Sequence, residues 1–407
     1  MKQNKWSIGR RQLVLAAMLA GAAGAAHAQS QYNVSVSLDY TGPFANVMDS
    51  WWGGQQSVFD WWNETRGKQL NVRLTPKTHD MRYDPSVVAR TWPQILSQDK
   101  PIVFLGMGTP DLVSLMKRLP TDKVPMIMGT AMVGPLWTAD GWHFSYRPTY
   151  SHEFAGLFAH LQAQLSEKRP LRIGTVSTQG IAGYVDQVNG VVALAKAYPD
   201  KFQVVSSQWV DNQPVNVTNQ MREMAKEKPD VVLVGTNTAQ VVATVKALKE
   251  LSLKIPVVTS SHNGLNEVAK AIPIADLEGS YSVFAFAPYN DPSVKAAEIF
   301  SKYNKTKGTW GITSAQTAGQ ALLTVAAIER AIAKVGADKL TGQAVYDALL
   351  AGPFDPAQFQ GLLPPVSLKR DAPFPTDNLA VKAMTVKGGQ IIAVGKDWMP
   401  VPALAKW

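Results

Sequence analysis

The chain of 407 residues contains no cysteine, which excludes a disulfide framework and any thiolate metal site. Histidine is scarce too. Of the six, His27 lies in an N-terminal segment treated below. The others, His79, His143, His152, His160 and His262, form no ligand-spaced pair on one helix face, so no metal and no cofactor are expected. Except for His262, they are expected at the surface or in connecting regions. No Gly-x-Ser-x-Gly elbow and no Gly-x-x-x-x-Gly-Lys loop occurs, and Gly106-Met107-Gly108 lacks the third glycine of a dinucleotide fingerprint. Nothing here points to an enzyme. Charged residues make up only 17% of the chain, and no run of lysines and arginines stands out. Four of the charges behind the formal +9, on Lys2, Lys5, Arg10 and Arg11, sit in an acid-free N-terminal segment, and removing them leaves +5. Nucleic-acid binding is not expected.

What the chain does have is apolar content of 46% and enough length for two lobes with sizeable cores. Residues 1–28 read as an export signal. A basic start ending in Arg10-Arg11 precedes the apolar run Leu13–Ala20, and Ala26-His27-Ala28 offers small residues where a signal peptidase reads, with cleavage before Gln29. The apolar run is short for a membrane span of about 20 residues. Arg10-Arg11 leaves the general secretory and the twin-arginine routes both open, with the periplasm as destination.

The mature chain is organised around Val34–Glu64. Val34, Val36 and Leu38 alternate with serines, the two-residue period of a strand. Asp39-Tyr40-Thr41-Gly42-Pro43 then breaks the pairing, and a helical stretch follows with Trp51, Gln55, Val58 and Trp62 on one stripe. In open α/β sheets, ligands bind beyond the carboxyl ends of strands, so Asp39–Ala45 is expected to form one wall of a cleft. Tyr40 and Phe44 flank this turn and are candidate ligand contacts. The tryptophan stripe reads chiefly as helix packing, with Trp51 and Trp52 nearest the cleft.

Strands are expected at Leu70–Leu74, Ile102–Leu105 and Val124–Met128, and a helix from Pro85 to about Leu96, capped by Asp84. Gly106–Pro110 leads into a helix with Thr109 as its cap, and glycines there let a ligand approach free backbone N–H groups. Gly129-Thr130-Ala131 is the matching turn after the fourth strand. Phe144–Tyr150 is extended and carries no helix signal, which marks a first crossing to another lobe. The alternation of strand and helix then restarts at Arg172 and ends at Ile255–Val258, which opens into Thr259–Gly264 with His262 in a cleft turn. A second crossing is expected near Gly279–Pro288, where Phe284 and Phe286 either line the site or pack as strand residues. A third follows at Pro353–Pro365 after helices at Pro292–Lys305, Ile312–Val335 and Gly342–Leu350, and the chain closes on a hairpin at Val381–Val394. The fold class is therefore α/β, with two doubly wound parallel-sheet lobes joined by a three-segment hinge. Lobe 1 takes residues 29–146 plus 287–353, and lobe 2 takes 147–286 plus 354–407.

This order resembles the type I periplasmic solute-binding proteins of ABC importers, in the leucine/isoleucine/valine-binding branch. The matching residues are Thr41-Gly42-Pro43-Phe44-Ala45, Asp84-Pro85, Gly106–Thr109, Arg147-Pro148 and the final glycine-containing hairpin, and the likeness spans about Gln31 to Val401. It implies a monomer that captures a small ligand by hinge closure and delivers it to a membrane permease. It also implies carboxylate binding by the turns at Gly108-Thr109 and Gly129-Thr130-Ala131, and an aromatic in the second lobe's first turn, Tyr184 or the shorter-reaching Ile181. Amino-acid binders of the family carry an acid after the second lobe's fourth strand; here Ser260-Ser261-His262-Asn263 stands there instead. Asp39 and Glu278 remain as possible substitutes. A small organic acid, with aromatic acids included, is therefore expected ahead of a branched-chain amino acid or an amide, and a ligand sensor of the same fold is the alternative function.

Overall fold

Strand β1, Ser30–Leu38, pairs in parallel along its whole length with β2, Val72–Asp80, from Ser30 opposite Val72 to Leu38 opposite Asp80. Both run longer than their hydrophobic cores suggest, because a neighbouring strand satisfies backbone groups whatever the side chains are. The second strand, expected over Leu70–Leu74, thereby reaches Asp80. The computed structural model describes residues 29–130 and 137–407. The expected signal at 1–28 and Ala131 lie outside the described residues.

The first sheet continues through β3 (Val103–Gly106), β4 (Met126–Met128) and β5 (His143–Ser145), all parallel, in the order β2-β1-β3-β4-β5. The second sheet repeats that order with β6 (Leu171–Ser177), β7 (Phe202–Trp209), β8 (Val231–Leu233), β9 (Val257–Thr259) and β10 (Tyr281–Phe284), running β7-β6-β8-β9-β10. An antiparallel pair, β11 (Ala380–Lys387) and β12 (Gln390–Ala393), extends it beyond β10. Two α/β lobes result, each with a switch point between its first and third strands, where such sheets bind ligands.

Phe144–Tyr150 differs from its expected form. His143–Ser145 closes the first sheet, and Tyr150 opens a helix, α4 (Tyr150–Ala163). That helix is buried without a break from Tyr150 to Phe158, so it shows no polar face and no amphipathic period to read. His143 and His152, expected near the surface, are both buried. Phe284 and Phe286 stack at 4.5 Å within the first lobe's core and do not line the cleft.

Three helices return to the first lobe: α8 (Ala296–Tyr303), α9 (Ile312–Val335) and α10 (Gly342–Leu349). They pack with α1 (Met48–Trp62), whose Gly54 lies so close to α9 that an added Cβ would fall 2.2 Å from the Thr317 hydroxyl. Phe354, Phe359, Leu363 and Phe374 bury in this same core, so the return to the second sheet comes at Ala380, later than 354. Glutamines on α9 fix the loops above the sheet. Gln320 Nε2 donates to the carbonyls of Gly106 (3.0 Å) and Ile127 (2.7 Å), and Gln316 Nε2 donates to Gly129 (2.6 Å).

Candidate functional site

The loops beyond the carboxyl ends of both sheets converge on a cavity between the lobes. The first lobe contributes Phe44, Trp51, Tyr83, Met107, Thr109 and Thr130, and the second Tyr150, Gly183, Tyr184, Gln187 and His262. The space is small, about 20 Å³, which is room for a water-sized molecule. Rings meet across it. Phe44 lies 5.7 Å from His262 and 4.8 Å from Tyr83, and Tyr184 stacks parallel to His262 at 6.4 Å.

Each wall is held from behind. Asp39, fully buried, accepts the Phe44 N–H at 2.8 Å and so turns the phenyl ring inward. Burial outweighs that bond and pushes its carboxyl up to about 6. After β3, Asp111 accepts the N–H groups of Met107 (2.8 Å) and Gly108 (3.1 Å) on one oxygen and the Ser37 hydroxyl (2.9 Å) on the other. This corrects two expectations. Gly108, not Thr109, stands at the cap position of α3 (Thr109–Leu115), and the backbone donors thought open to a ligand are already satisfied by Asp111. Gly108 serves a different purpose, since a Cβ there would lie 2.5 Å from the Tyr83 ring. Gly129 likewise clears the Trp51 ring, which a Cβ would approach to 2.6 Å. The Thr130 hydroxyl donates to the Met107 carbonyl at 3.0 Å.

Of the residues singled out in the sequence, Phe44, Thr109, Thr130, Tyr184 and His262 come together at the cavity, with Gly108 and Gly129 directly behind its wall. Tyr40 does not. It is 42% exposed and faces away. Glu278 is remote, its carboxylate accepting the Gly388 and Gly389 N–H groups of the β11–β12 turn. The residues missed are Tyr83, Met107, Tyr150, Gly183 and Gln187, and Trp51 deserved more than its place in a packing stripe. Tyr83 sits with φ 51°, a left-handed backbone that follows Arg82 at φ 54°, and no local pattern announces that pair.

Among the described residues, no acid and no lysine or arginine lines the cavity. His262 is neutral: burial first, and the Arg147 guanidinium second, push its imidazole down to about 3. Its Nδ1 lies 2.8 Å from the Ser260 hydroxyl and 2.9 Å from that of Tyr150. The Trp51 indole N–H is buried and has no partner among the described residues, an orphan donor that burial makes costly to leave unmet. The cavity thus offers aromatic faces and uncharged donors. Among the described residues no group of three His, Asp or Glu could hold a metal ion, and no helix is long and apolar enough to cross a membrane.

The state of Asp111 can be read from stability. Burial raises its carboxyl from 3.8 to about 6 in the folded chain, so the fold favours its protonated form. That contribution is present below the unfolded value and lost as pH rises through about 6. Asn at 111 can accept the same two N–H groups and donate to Ser37, yet does not titrate. The stability of Asp111→Asn relative to the parent should therefore improve by roughly 3 kcal/mol between pH 4 and pH 7. Urea midpoints for both proteins at the two pH values measure it, and a constant difference would contradict the assigned burial effect.

A family model described as periplasmic binding protein matches residues 31–389. No curated protein matches in sequence. Among solved structures, a branched-chain amino acid ABC transporter protein from Thermus thermophilus with bound valine is similar at 18% identity and a TM-score of 0.78, covering 91% of this chain and 96% of that one. A fatty acid ABC transporter substrate-binding protein from Thermomonospora curvata gives 18% and 0.74, over 91% and 92%. An ABC transporter solute-binding protein from R. palustris in complex with 4-hydroxybenzoate gives 17% and 0.72, over 93% and 99%. At such identities these likenesses speak for the fold alone.

Proposed function

Because the chain belongs to the periplasmic binding protein family, we propose that it is the substrate-binding component of an ABC importer, exported through residues 1–28 and taking up a small aromatic carboxylate for a membrane permease. It works as a binding protein and not as an enzyme. The observation that carries the ligand class is the composition of the cavity: Phe44, Trp51, Tyr83, Tyr150 and Tyr184 supply aromatic faces, and no acidic side chain among the described residues lines it. An α-amino acid would bury its ammonium without a partner, which costs several kcal/mol. Asp39, at the start of the Phe44 turn, does not line the cavity; its Oδ2 accepts the Phe44 N–H, and burial pushes its carboxyl up to about 6, away from the charged form that an ammonium needs. A carboxylate fits better. It would take the Trp51 indole N–H, unpartnered among the described residues, as an uncharged donor, with the ring between Phe44, Tyr83 and Tyr184. The relative with bound 4-hydroxybenzoate supports this class, and the relative with bound valine supports the alternative.

The three passages between the sheets act as the hinge. About 20 Å³ cannot hold a benzoate, so the ligand enters by parting the lobes and is gripped in an arrangement less tightly closed than this one. Contacts across the mouth hold this arrangement: beside the ring contact of Phe44 and His262, Asn46 Nδ2 lies 3.3 Å from the Thr238 hydroxyl, and the Ile312 N–H donates to Asn266 Oδ1 at 3.3 Å. Thermal-shift and calorimetric titration should be run with benzoate, 4-hydroxybenzoate and phenylacetate against leucine, isoleucine and valine. At least one aromatic acid should bind in the micromolar range or tighter, about −8 kcal/mol, with no response to the amino acids. Tight binding of leucine, isoleucine or valine with no response to any aromatic acid would return the site to the amino-acid class.

A further inference from the structure

We propose that the segment Val401–Trp407 is a strap that ties the two lobes together beside the cavity and sets how often they part; it rests on the closure just described. The segment leaves the second sheet from β13 (Met399–Pro400), which pairs with β11, and the Val401 N–H donates to the Leu379 carbonyl at 2.9 Å. The Tyr198 hydroxyl donates to the Ala403 carbonyl at 2.9 Å. Trp407 then docks on α5 (Ala182–Ala197), its indole N–H donating to the Asp186 carboxylate at 3.1 Å. The ring lies so close to that helix that a Cβ on Gly190 would fall 2.6 Å from it. Asp186 stands beside Gln187 and two residues after Tyr184, both of them cavity walls.

The neighbouring residue reaches the other lobe. Lys406 Nζ donates to the Trp137 carbonyl at 2.6 Å. Trp137 lies in the connection from β4 to β5 of the first lobe, the connection that begins at the cavity residue Thr130. Its ring meets Phe374 at 5.1 Å and His152 of α4 at 6.1 Å, and His152 meets Trp407 at 5.7 Å. Two consecutive residues of one segment thus hold the helix that forms the second lobe's wall and the loop that leads from the first lobe's wall. Opening by rotation has to break the Lys406 bond or pull Trp407 off α5. A bond formed only in the closed arrangement favours that arrangement whether or not ligand is present.

The lack of native cysteine makes the test direct, because a single introduced pair takes both dyes. Lys117 on the first lobe and Glu227 on the second are exposed, and Lys117→Cys with Glu227→Cys reports the distance between lobes by energy transfer in the full chain. Lys406→Met removes the interlobe bond and keeps the packing; Trp407→Ala removes the anchor on α5. Without ligand, each should raise the ratio of open to closed molecules by about fivefold, and Lys406→Met should do so with little change in melting temperature. Unchanged distance distributions in both variants overturn the strap, and so does a lowered melting temperature with unchanged distances, which marks plain packing. Benzoate is the probe for the ligand step, where release should quicken by a similar factor. A shift in ligand-free distances with no benzoate binding in any variant supports the strap and removes the benzoate reading. Unchanged distances with tight benzoate binding do the reverse.

Discussion

Arg147→Met should lower the free energy of unfolding by about 3–5 kcal/mol, and adding Glu153→Leu should restore most of it. Both side chains are fully buried. Arg147 Nε donates to one Glu153 oxygen at 2.8 Å and its Nη2 bonds the other, while Nη1 donates to the Ser261 hydroxyl at 2.6 Å. Glu153 also accepts the Ala285 N–H at 3.1 Å. Burial pushes the Glu153 carboxyl up to about 7, against the downward pull of the guanidinium. Removing the arginine alone leaves a carboxyl in the interior with its main partner gone, and that desolvation is the large term. Removing both leaves the Ala285 N–H and the Ser261 and Tyr146 hydroxyls to find partners, a loss of roughly 1–3 kcal/mol. Urea denaturation of the two variants decides it. A single variant within 1 kcal/mol of the parent would show that the pair contributes little. The pair joins the first passage between lobes, at Arg147, to the second, at Ala285, so the double variant also asks whether a charged clasp is needed for closure.

Gly183→Leu should abolish ligand binding, by roughly 100-fold or more, equal to about 2.7 kcal/mol. Gly183 lines the cavity at the second position of α5. A leucine side chain there exceeds the roughly 20 Å³ available, so it takes up space that the ligand needs as the lobes close on it. The clash exists only in that arrangement. The variant should therefore fold with near-parental stability, and scattering should give it a larger radius of gyration than the parent. Gly180→Ala, where an added Cβ meets nothing within 4 Å, is the control and should bind as the parent does. Calorimetric titration with whichever aromatic acid binds the parent provides the measurement, and unaltered affinity in Gly183→Leu would place the ligand elsewhere.

The order of strands and helices was legible in the residues because it depends on local physics. The alternation of Val34, Val36 and Leu38 with serines makes a strand in any context, and β1 contains it. Asp84 before Pro85 makes a helix start, and its carboxylate accepts the Ser86 N–H at 2.7 Å. The long helix Ile312–Val335 has the bounds its pattern predicts. Small, polar turns after successive strands pointed to the edge where Thr109, Thr130, Tyr184 and His262 meet. The absence of an acid in Ser260–Asn263 was likewise a property of the sequence alone.

Which side chains face the cavity was decided only by the assembled fold. Tyr40 and Phe44 flank the same turn, yet the Asp39 carboxylate draws Phe44 inward and Tyr40 stays in solvent. Trp51 belongs to a packing stripe by its spacing, but Gly129, far away in sequence, leaves room for its ring beside the site. Tyr83 enters through a left-handed backbone and settles over Gly108. Asp111 takes the N–H groups that a reading of the loop by itself assigned to the ligand. Helix α4 left no periodic trace because, from Tyr150 to Phe158, both lobes pack around it and bury every residue. In each case the partner lies many residues away or in the other lobe. Backbone preference is settled within a few residues of chain, whereas burial and hydrogen-bond satisfaction are settled only when distant segments meet.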